Sequence, residues 1–259
     1  MPVYTDQMNR VVDLPLAPSR IITLVPSQTE LLFDLGLDKE IIGVTKFCIH
    51  PEDKVKQKVK VGGTKQVDIS VVKKLKPDLI IGNKEENERD QAEELMEHFP
   101  VWMSDINDLD SALEMIRKVG HITGKADKAC TLAKNIEQQF SNLTIQPFGK
   151  TAAYFIWRKP YMIAGKGTFI NEMVKRCGLV NAFDIERYPE VISEQLIAAK
   201  PDVILLSSEP YPFKEKHIAE FKALCPNATV KVVDGEMFSW YGSRLLKAPA
   251  YFQSLELNR

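Results

Sequence analysis

The chain has 259 residues, enough for one large domain or two lobes of about 100–120 residues each. Its apolar fraction of 44%, charged fraction of 27% and net charge of −1 (34 basic against 35 acidic residues) describe an ordinary globular protein. This balance points away from nucleic acid and from anionic membrane surfaces, and no apolar run approaches the roughly 18 residues needed to cross a bilayer.

Residues 1–20 show neither the basic start nor the apolar stretch of about 7–15 residues that marks a secretory signal. The expectation is therefore a cytoplasmic protein, or a mature form carrying an added Met. Cys48, Cys130, Cys177 and Cys225 are scattered without a C-x-x-C pair, which suits free or buried thiols.

In chain order, the first strand is predicted at 21–25, stopped by Pro26. Ser27 or Thr29 is placed to cap the following helix, with Glu30 in its first turn, Leu31, Leu32 and Leu35 along it and Gly36 at its end. A strand at 41–44, a helix at 69–75, a strand at 79–81, a helix at 87–99 and a short strand at 101–103 follow. Between 126 and 143, Ala126, Ala129, Leu132, Ala133, Ile136, Phe140 and Leu143 recur at three- and four-residue steps, predicting an amphipathic helix about 27 Å long. Residues 142–150, with Pro147 and Gly149, break that pattern. The alternation then resumes with strands at 152–157, 203–206 and 230–233, and helices at 168–177, 193–199, 214–224 and 245–257.

Strands alternating with helices predict parallel sheets flanked by helices. Ile69-Ser-Val-Val-Lys-Lys-Leu-Lys-Pro-Asp-Leu-Ile reads closely against Ser193-Glu-Gln-Leu-Ile-Ala-Ala-Lys-Pro-Asp-Val-Ile, so each half has a helix, Lys-Pro-Asp and a buried strand at the same place. The expected architecture is α/β. Two Rossmann-like lobes, residues 18–124 and 147–259, are joined by one long backbone helix at 125–146.

At Thr23-Leu-Val-Pro-Ser-Gln-Thr-Glu-Leu-Leu-Phe-Asp-Leu-Gly the sequence resembles the helical-backbone metal receptors, the periplasmic binding proteins for cobalamin, ferric siderophores and haem that serve ABC importers. The resemblance continues through Gly43-Val-Thr-Lys-Phe-Cys-Ile-His-Pro, Val61-Gly-Gly-Thr-Lys, Lys76-Pro-Asp-Leu-Ile, Ser193-Glu-Gln-Leu and Gly242-Ser-Arg, and the cobalamin-binding branch is the most similar. It implies a monomeric solute receptor that binds a corrinoid or other metal chelate in a cleft between its lobes, with no tightly bound cofactor and a periplasmic location. It also implies docking on an importer permease through a glutamate on each lobe. Glu194 occupies the second-lobe position. The first-lobe position holds Ser70, with Asp68 nearby.

Ligand sites in such folds lie outside the carboxyl ends of the parallel strands, and several loops there carry candidates. Pro26 ends the first strand. In Lys46-Phe47-Cys48-Ile49-His50-Pro51, Phe47 lines the cleft by resemblance, while Cys48 and His50 are weak candidates for ligating a metal. Glu85 in Asn83-Lys84-Glu85-Glu86-Asn87 is placed either to accept hydrogen bonds from a ligand or simply to favour a helix start capped by Asn87. Trp157, Arg158 and Tyr161 offer stacking and cation–π contact, and Tyr188 resembles a stacking wall. Phe238, Trp240, Tyr241 and Arg244 crowd one short loop. This aromatic and cationic inventory favours a chelate that brings its own ligands over a bare metal ion.

The chain has no G-x-G-x-x-G after its first strand, no P-loop and no G-x-S-x-G, so a binding protein is expected rather than an enzyme. The alternatives are a cytoplasmic carrier or sensor without a transporter, and a chelatase-like enzyme acting on a tetrapyrrole through His50 and Glu85.

Overall fold

A computed structural model describes residues 3–14, 17–145 and 149–257. Pro147, read above as part of a helix break, lies outside them. The chain divides into two compact units. The first comprises Met1–Ile106, Asp110–Gln138 and Tyr241–Leu246; the second comprises Asn107–Leu109, Gln139–Trp240 and Lys247–Arg259.

In chain order the first stretch contains β1 (Val3–Thr5), β2 (Val11–Asp13), β3 (Ile21–Thr23), α1 (Pro26–Asp34), β4 (Ile41–Val44), α2 (Glu52–Val55) and β5 (Val59–Lys60). It continues with α3 (Ile69–Leu75), β6 (Leu79–Asn83), α4 (Arg89–Met96), β7 (Val101–Ser104), α5 (Leu109–Ile122) and α6 (Ala126–Ser141). Strands β5-β4-β3-β6-β7 form a parallel sheet in that order. Every residue of β3, β6 and β7 is buried, as expected for strands covered on both faces. Ile22, Leu24, Val72, Ile80, Leu95 and Met103 build the core on one side of that sheet.

The second stretch contains β8 (Thr151–Trp157), β9 (Tyr161–Ile163), α7 (Phe169–Arg176), β10 (Val180–Asn181), β11 (Glu190–Val191), α8 (Ser193–Ala199) and β12 (Val203–Ser207). It ends with α9 (Ile218–Leu224), β13 (Thr229–Val233), α10 (Glu236–Ser239) and α11 (Ala248–Ser254). This sheet runs β11-β9-β8-β12-β13, with β10 also on β8. It is mixed rather than purely parallel: β9 pairs antiparallel with β8 and with β11, because the short link between β8 and β9 can only turn the chain back on itself. The core here is aromatic, with Phe155 and Phe221 ring centroids 4.7 Å apart and Phe213 beside them.

The Lys-Pro-Asp repeat has a geometric basis. Lys76 and Lys200 end their helices in the left-handed conformation, at φ 47° in both cases, and the proline that follows cannot extend the helix. The aspartate then ties down the start of the neighbouring strand. Asp78 Oδ2 accepts from Ser19 N at 2.9 Å and Ser19 Oγ at 3.1 Å, and Asp202 Oδ2 accepts from Thr151 N at 2.7 Å and Thr151 Oγ1 at 3.0 Å.

Several elements differ from expectation. Pro26 is the first residue of α1 rather than a stop before it, and no side chain caps that helix. Thr29 Oγ1 donates to Val25 O at 2.9 Å instead, and Glu30 falls beyond the first turn. Asn87 does not cap α4; its Oδ1 accepts from Asn83 N at 2.8 Å. The closing helix is broken into a 3₁₀ turn, Ser243–Leu246, and α11, with a proline in the first turn of α11. Helix α5, the β1–β2 hairpin and the short strands β5, β9, β10 and β11 were not foreseen. Helix α6 buries Ala129, Ala133, Ile136 and Phe140, as its periodicity predicts. It approaches α5 so closely that a Cβ on Gly120 would sit 2.1 Å from the Cβ of Ala129.

Candidate functional site

At the carboxyl edge of the first sheet the strands end in a buried polar layer. Thr23, Gln28, Thr29, Thr45, Asn83 and Ser104 are all essentially inaccessible. Ser104 Oγ receives Gln28 Nε2 at 2.6 Å and Asn83 Nδ2 at 2.9 Å. Asn83 Oδ1 in turn accepts from the backbone N–H of Glu85 at 2.8 Å and of Glu86 at 3.2 Å, which folds the 83–87 loop over the strand end. Glu85 is thus held by its backbone, and Lys65 Nζ reaches its carbonyl at 2.7 Å.

Phe47 is 51% exposed, with the Lys46 ammonium 5.1 Å from its ring centre. Cys48 is buried, its Sγ 3.0 Å from Thr29 Oγ1 and 3.2 Å from Thr45 Oγ1. Burial pushes its thiol pKa up, which keeps it protonated and a poor metal ligand. Among the described residues no three His, Cys, Asp or Glu side chains converge as a metal site.

The segment Tyr241–Leu246 packs in this first unit. Arg244 donates from Nε to Glu30 Oε2 at 2.9 Å and from Nη2 to Glu30 Oε1 at 2.6 Å. Ser243 Oγ bonds to Asp34, and Tyr241 OH donates to Glu86 Oε1 at 2.9 Å. Gly242 is required here, since a Cβ would lie 2.4 Å from Ser27 O. Arg244, read above as a ligand contact, is therefore committed to a largely buried ion pair.

In the second unit the structure brings Trp157, Arg158 and Tyr161 together. Arg158 donates through Nε at 2.9 Å and Nη2 at 2.7 Å to Glu220 Oε2, and Tyr161 OH donates to Glu220 Oε1 at 2.5 Å. Burial opposes ionisation of Glu220, but the bonds from Arg158 and Tyr161 outweigh it and hold the carboxyl below its ordinary range. Burial first, then the bond to Glu220, pushes the Tyr161 hydroxyl up to about 12. Trp157 is 39% exposed, bonded to Lys159 O at 3.2 Å and edge-on to Tyr211. Arg158, Tyr161 and Glu194 share a shallow hollow of about 390 Å³ with Val191 and Ile192.

Tyr188 is partly exposed, and the guanidinium of Arg187, a residue at φ 65°, lies 5.9 Å from its ring centre. Trp240 Nε1 donates to Glu209 Oε1 at 3.0 Å. Phe238 is a correction: it is fully buried, with Tyr154 and Phe252 centroids at 5.0 and 4.9 Å, and supports the core instead of facing a ligand. Glu194 is exposed in the first turn of α8. In the first unit, Ser70 Oγ donates to Asp68 Oδ1 at 2.9 Å, and the same oxygen caps α3 through Val71 N at 3.1 Å.

Sequence reasoning missed Glu30, Glu209 and Glu220, the acids that hold Arg244, Trp240 and Arg158. Of these only Glu209 carried a signal, as an acid two residues beyond a buried strand.

The profile of the periplasmic binding protein family matches residues 21–224. The vitamin B12-binding protein of Pectobacterium carotovorum is 26% identical over 242 residues, 89% of this chain and 86% of that protein. An uncharacterized ABC transporter substrate-binding lipoprotein of Bacillus subtilis, YvrC, is 29% identical over 214 residues, 77% of this chain and 67% of that protein. Among solved structures, the periplasmic vitamin B12-binding protein BtuF of Vibrio cholerae superposes with a TM-score of 0.81 at 25% identity, covering 94% of this chain and 98% of that one. A periplasmic haem-binding protein from Pseudomonas aeruginosa gives a TM-score of 0.81 at 21% identity over 93% of both chains, which shows a shared fold. The chain belongs to the periplasmic binding protein family, a family of solute-binding proteins rather than enzymes.

Proposed function

We propose that this chain is the solute-binding component of an ABC importer and that its ligand is a corrinoid or another metal chelate. The observation that carries the reading is the make-up of the strand-end loops. Phe47 and Trp157 are substantially exposed, Tyr188 partly so, and the cations of Lys46 and Arg187 stand beside the Phe47 and Tyr188 rings. Exposed rings with neighbouring cations suit a large ligand with flat faces and anionic or amide edges. The relatives named for vitamin B12 and haem support the same class, and a location outside the cytoplasm, free or lipid-anchored, accords with the family.

Calorimetry with cyanocobalamin, cobinamide, haemin and ferric hydroxamate siderophores tests the proposal. Binding of at least one at about 100 μM or tighter is expected, which corresponds to roughly −5.5 kcal/mol. Failure of all four classes overturns the reading. Trp157→Ala should weaken the binding by about 1–2 kcal/mol, the loss of one rigid stacking surface.

A further inference from the structure

Glu209 is used by none of the readings above, yet it occupies the carboxyl end of β12. Its backbone is fixed from the sheet: Ser207 Oγ donates to the Glu209 carbonyl at 2.5 Å and itself accepts from Tyr154 OH at 3.1 Å. Its carboxylate reaches the other way, where Oε1 accepts from Ser239 Oγ at 2.5 Å and from Trp240 Nε1 at 3.0 Å. The turn after β13 closes over it, since a Cβ on Gly235 would lie 2.7 Å from Glu209 Cγ and 2.3 Å from Ser207 Oγ.

We propose that Glu209 is the positioning residue for Trp240, a latch that grips the turn of Ser239 and Trp240 when its carboxylate is charged and loosens it when the carboxylate is neutral. The hydrogen bonds supply the switch. Ser239 Oγ has one hydrogen and two acceptors in reach, Glu209 Oε1 at 2.5 Å and Gly235 O at 2.9 Å. A charged acceptor is about twice as strong as a neutral one, so the hydrogen points to the carboxylate. When Glu209 takes a proton from water, its own O–H donates to Ser239 Oγ and the serine hydrogen turns to Gly235 O. Trp240 then keeps at most a neutral partner. Only hydrogen bonds change, and the proton is the sole species taken up.

The groups around the latch move its switching upward from the ordinary glutamate range. Burial, together with the like charges of Glu236 on α10 and Asp234 after β13, raises the Glu209 pKa, while the bonds from Ser239 and Trp240 pull against them. Tyr154 on β8 bears on it through Ser207, and Tyr251 on α11 bears on Asp234, whose N–H donates to the Tyr251 hydroxyl at 2.7 Å. Both tyrosines are held neutral, because burial raises their pKa values as well. The chain leaves the second unit at Trp240, and the residues that follow, Tyr241–Leu246, pack in the first. The latch therefore controls the last anchored residue before that passage. Its bearing on capture rests on the corrinoid reading of the proposed function and on the expectation that the loop from Phe238 to Arg244 adjoins the ligand; Trp240 itself is only 5% exposed.

The test reads the three tryptophan indole N–H resonances in ¹⁵N-labelled protein, with that of Trp240 assigned by its loss in Trp240→Phe. As pH falls from about 8 to about 4, across and above the ordinary glutamate range, the Trp240 resonance should titrate with a midpoint above that range. Glu209→Gln should abolish the titration, and Ser239→Ala, which removes a donor to the charged form, should move the midpoint higher. A Trp240 resonance that does not respond to pH, or one that still titrates in Glu209→Gln, overturns the proposal. Cyanocobalamin affinity should drop several-fold below the midpoint in the wild type and stay flat in Glu209→Gln. If cyanocobalamin does not bind at all, the corrinoid reading is at fault, and the resonance titration still decides the latch.

Discussion

Replacing Glu30 by glutamine should destabilise the protein by about 3 kcal/mol, through the guanidinium it leaves behind. The Glu30 and Arg244 side chains are only 12% and 9% exposed, and two bonds of 2.9 and 2.6 Å join them in the fork geometry that suits a carboxylate and a guanidinium. Removing one partner of a buried pair strands an uncompensated charge, at a cost of about 3–5 kcal/mol. The residual exposure of both groups places this case near the lower end. Arg244→Met, which strands the carboxylate, should cost a similar amount. The double variant Glu30→Leu with Arg244→Met removes both charges and fills the space with apolar atoms, so its cost should fall well short of the sum of the singles. Urea unfolding followed by circular dichroism measures all three, at constant slope if unfolding stays cooperative. Singles below about 1 kcal/mol, or a double variant equal to their sum, would show that the pair is a solvated contact rather than the clamp that fastens Tyr241–Leu246 to the first unit.

Three further outcomes follow from local geometry. Gly120→Ala should destabilise by roughly 1–3 kcal/mol, because the 2.1 Å clash with Ala129 outweighs the gain of about 1 kcal/mol from better helix propensity; a stabilised variant in a thermal melt would refute that close approach. Lys76→Gly and Lys200→Gly should each stabilise by about 0.5 kcal/mol, since φ 47° is strained for lysine and free for glycine; a loss above about 1 kcal/mol in urea midpoints would contradict this. Ser70→Glu should tighten association with a vitamin B12-type importer by about tenfold, or roughly 1.4 kcal/mol, by adding an acid at the position equivalent to Glu194. No change in a reconstituted binding assay would refute a docking role for that position.

The elements that were legible in the sequence are those whose cause lies within a few residues. Strands β3, β6 and β12 announce themselves because burial on both faces demands unbroken apolar runs, and α6 because its buried residues recur at helical spacing. Helix α5 was hidden by its polar lead, Asp105-Ile-Asn-Asp-Leu-Asp, and by Gly120, which reads as a breaker until Ala129 is seen pressed against it. The β1–β2 hairpin has only three residues in each strand. It depends on Asp6, whose carboxylate accepts from Met8 N, Arg10 N and, from β7, Met103 N. Arg158 and Arg244 looked available for a ligand because their acids are 62 and 214 residues away in sequence. Spacing within a loop says nothing about such partners. Phe238 was misread for the same reason: its burial comes from Tyr154 and Phe252, both outside its own loop.

The internal repeat separates what the fold requires from what it leaves open. Val67 and Val191 are both buried, as are Val72 and Leu196, and Lys76 and Lys200 share one backbone conformation. At those positions the sheet and the turn dictate the residue. Between them, four pairs of outward-facing positions diverge: Asp68 against Ile192, Ser70 against Glu194, Lys73 against Ile197 and Lys74 against Ala198. Ile192 and Ile197 are 60% and 46% exposed, flanking an acid, and Ile192 stands at the N-cap of α8, where Asp68 gives α3 a proper cap. An aliphatic side chain at a cap forgoes about 1 kcal/mol of helix stability, and exposed isoleucine returns nothing for it through burial. Neither packing within the unit nor side-chain capping accounts for Ile192 and Ile197 at these two positions of α8.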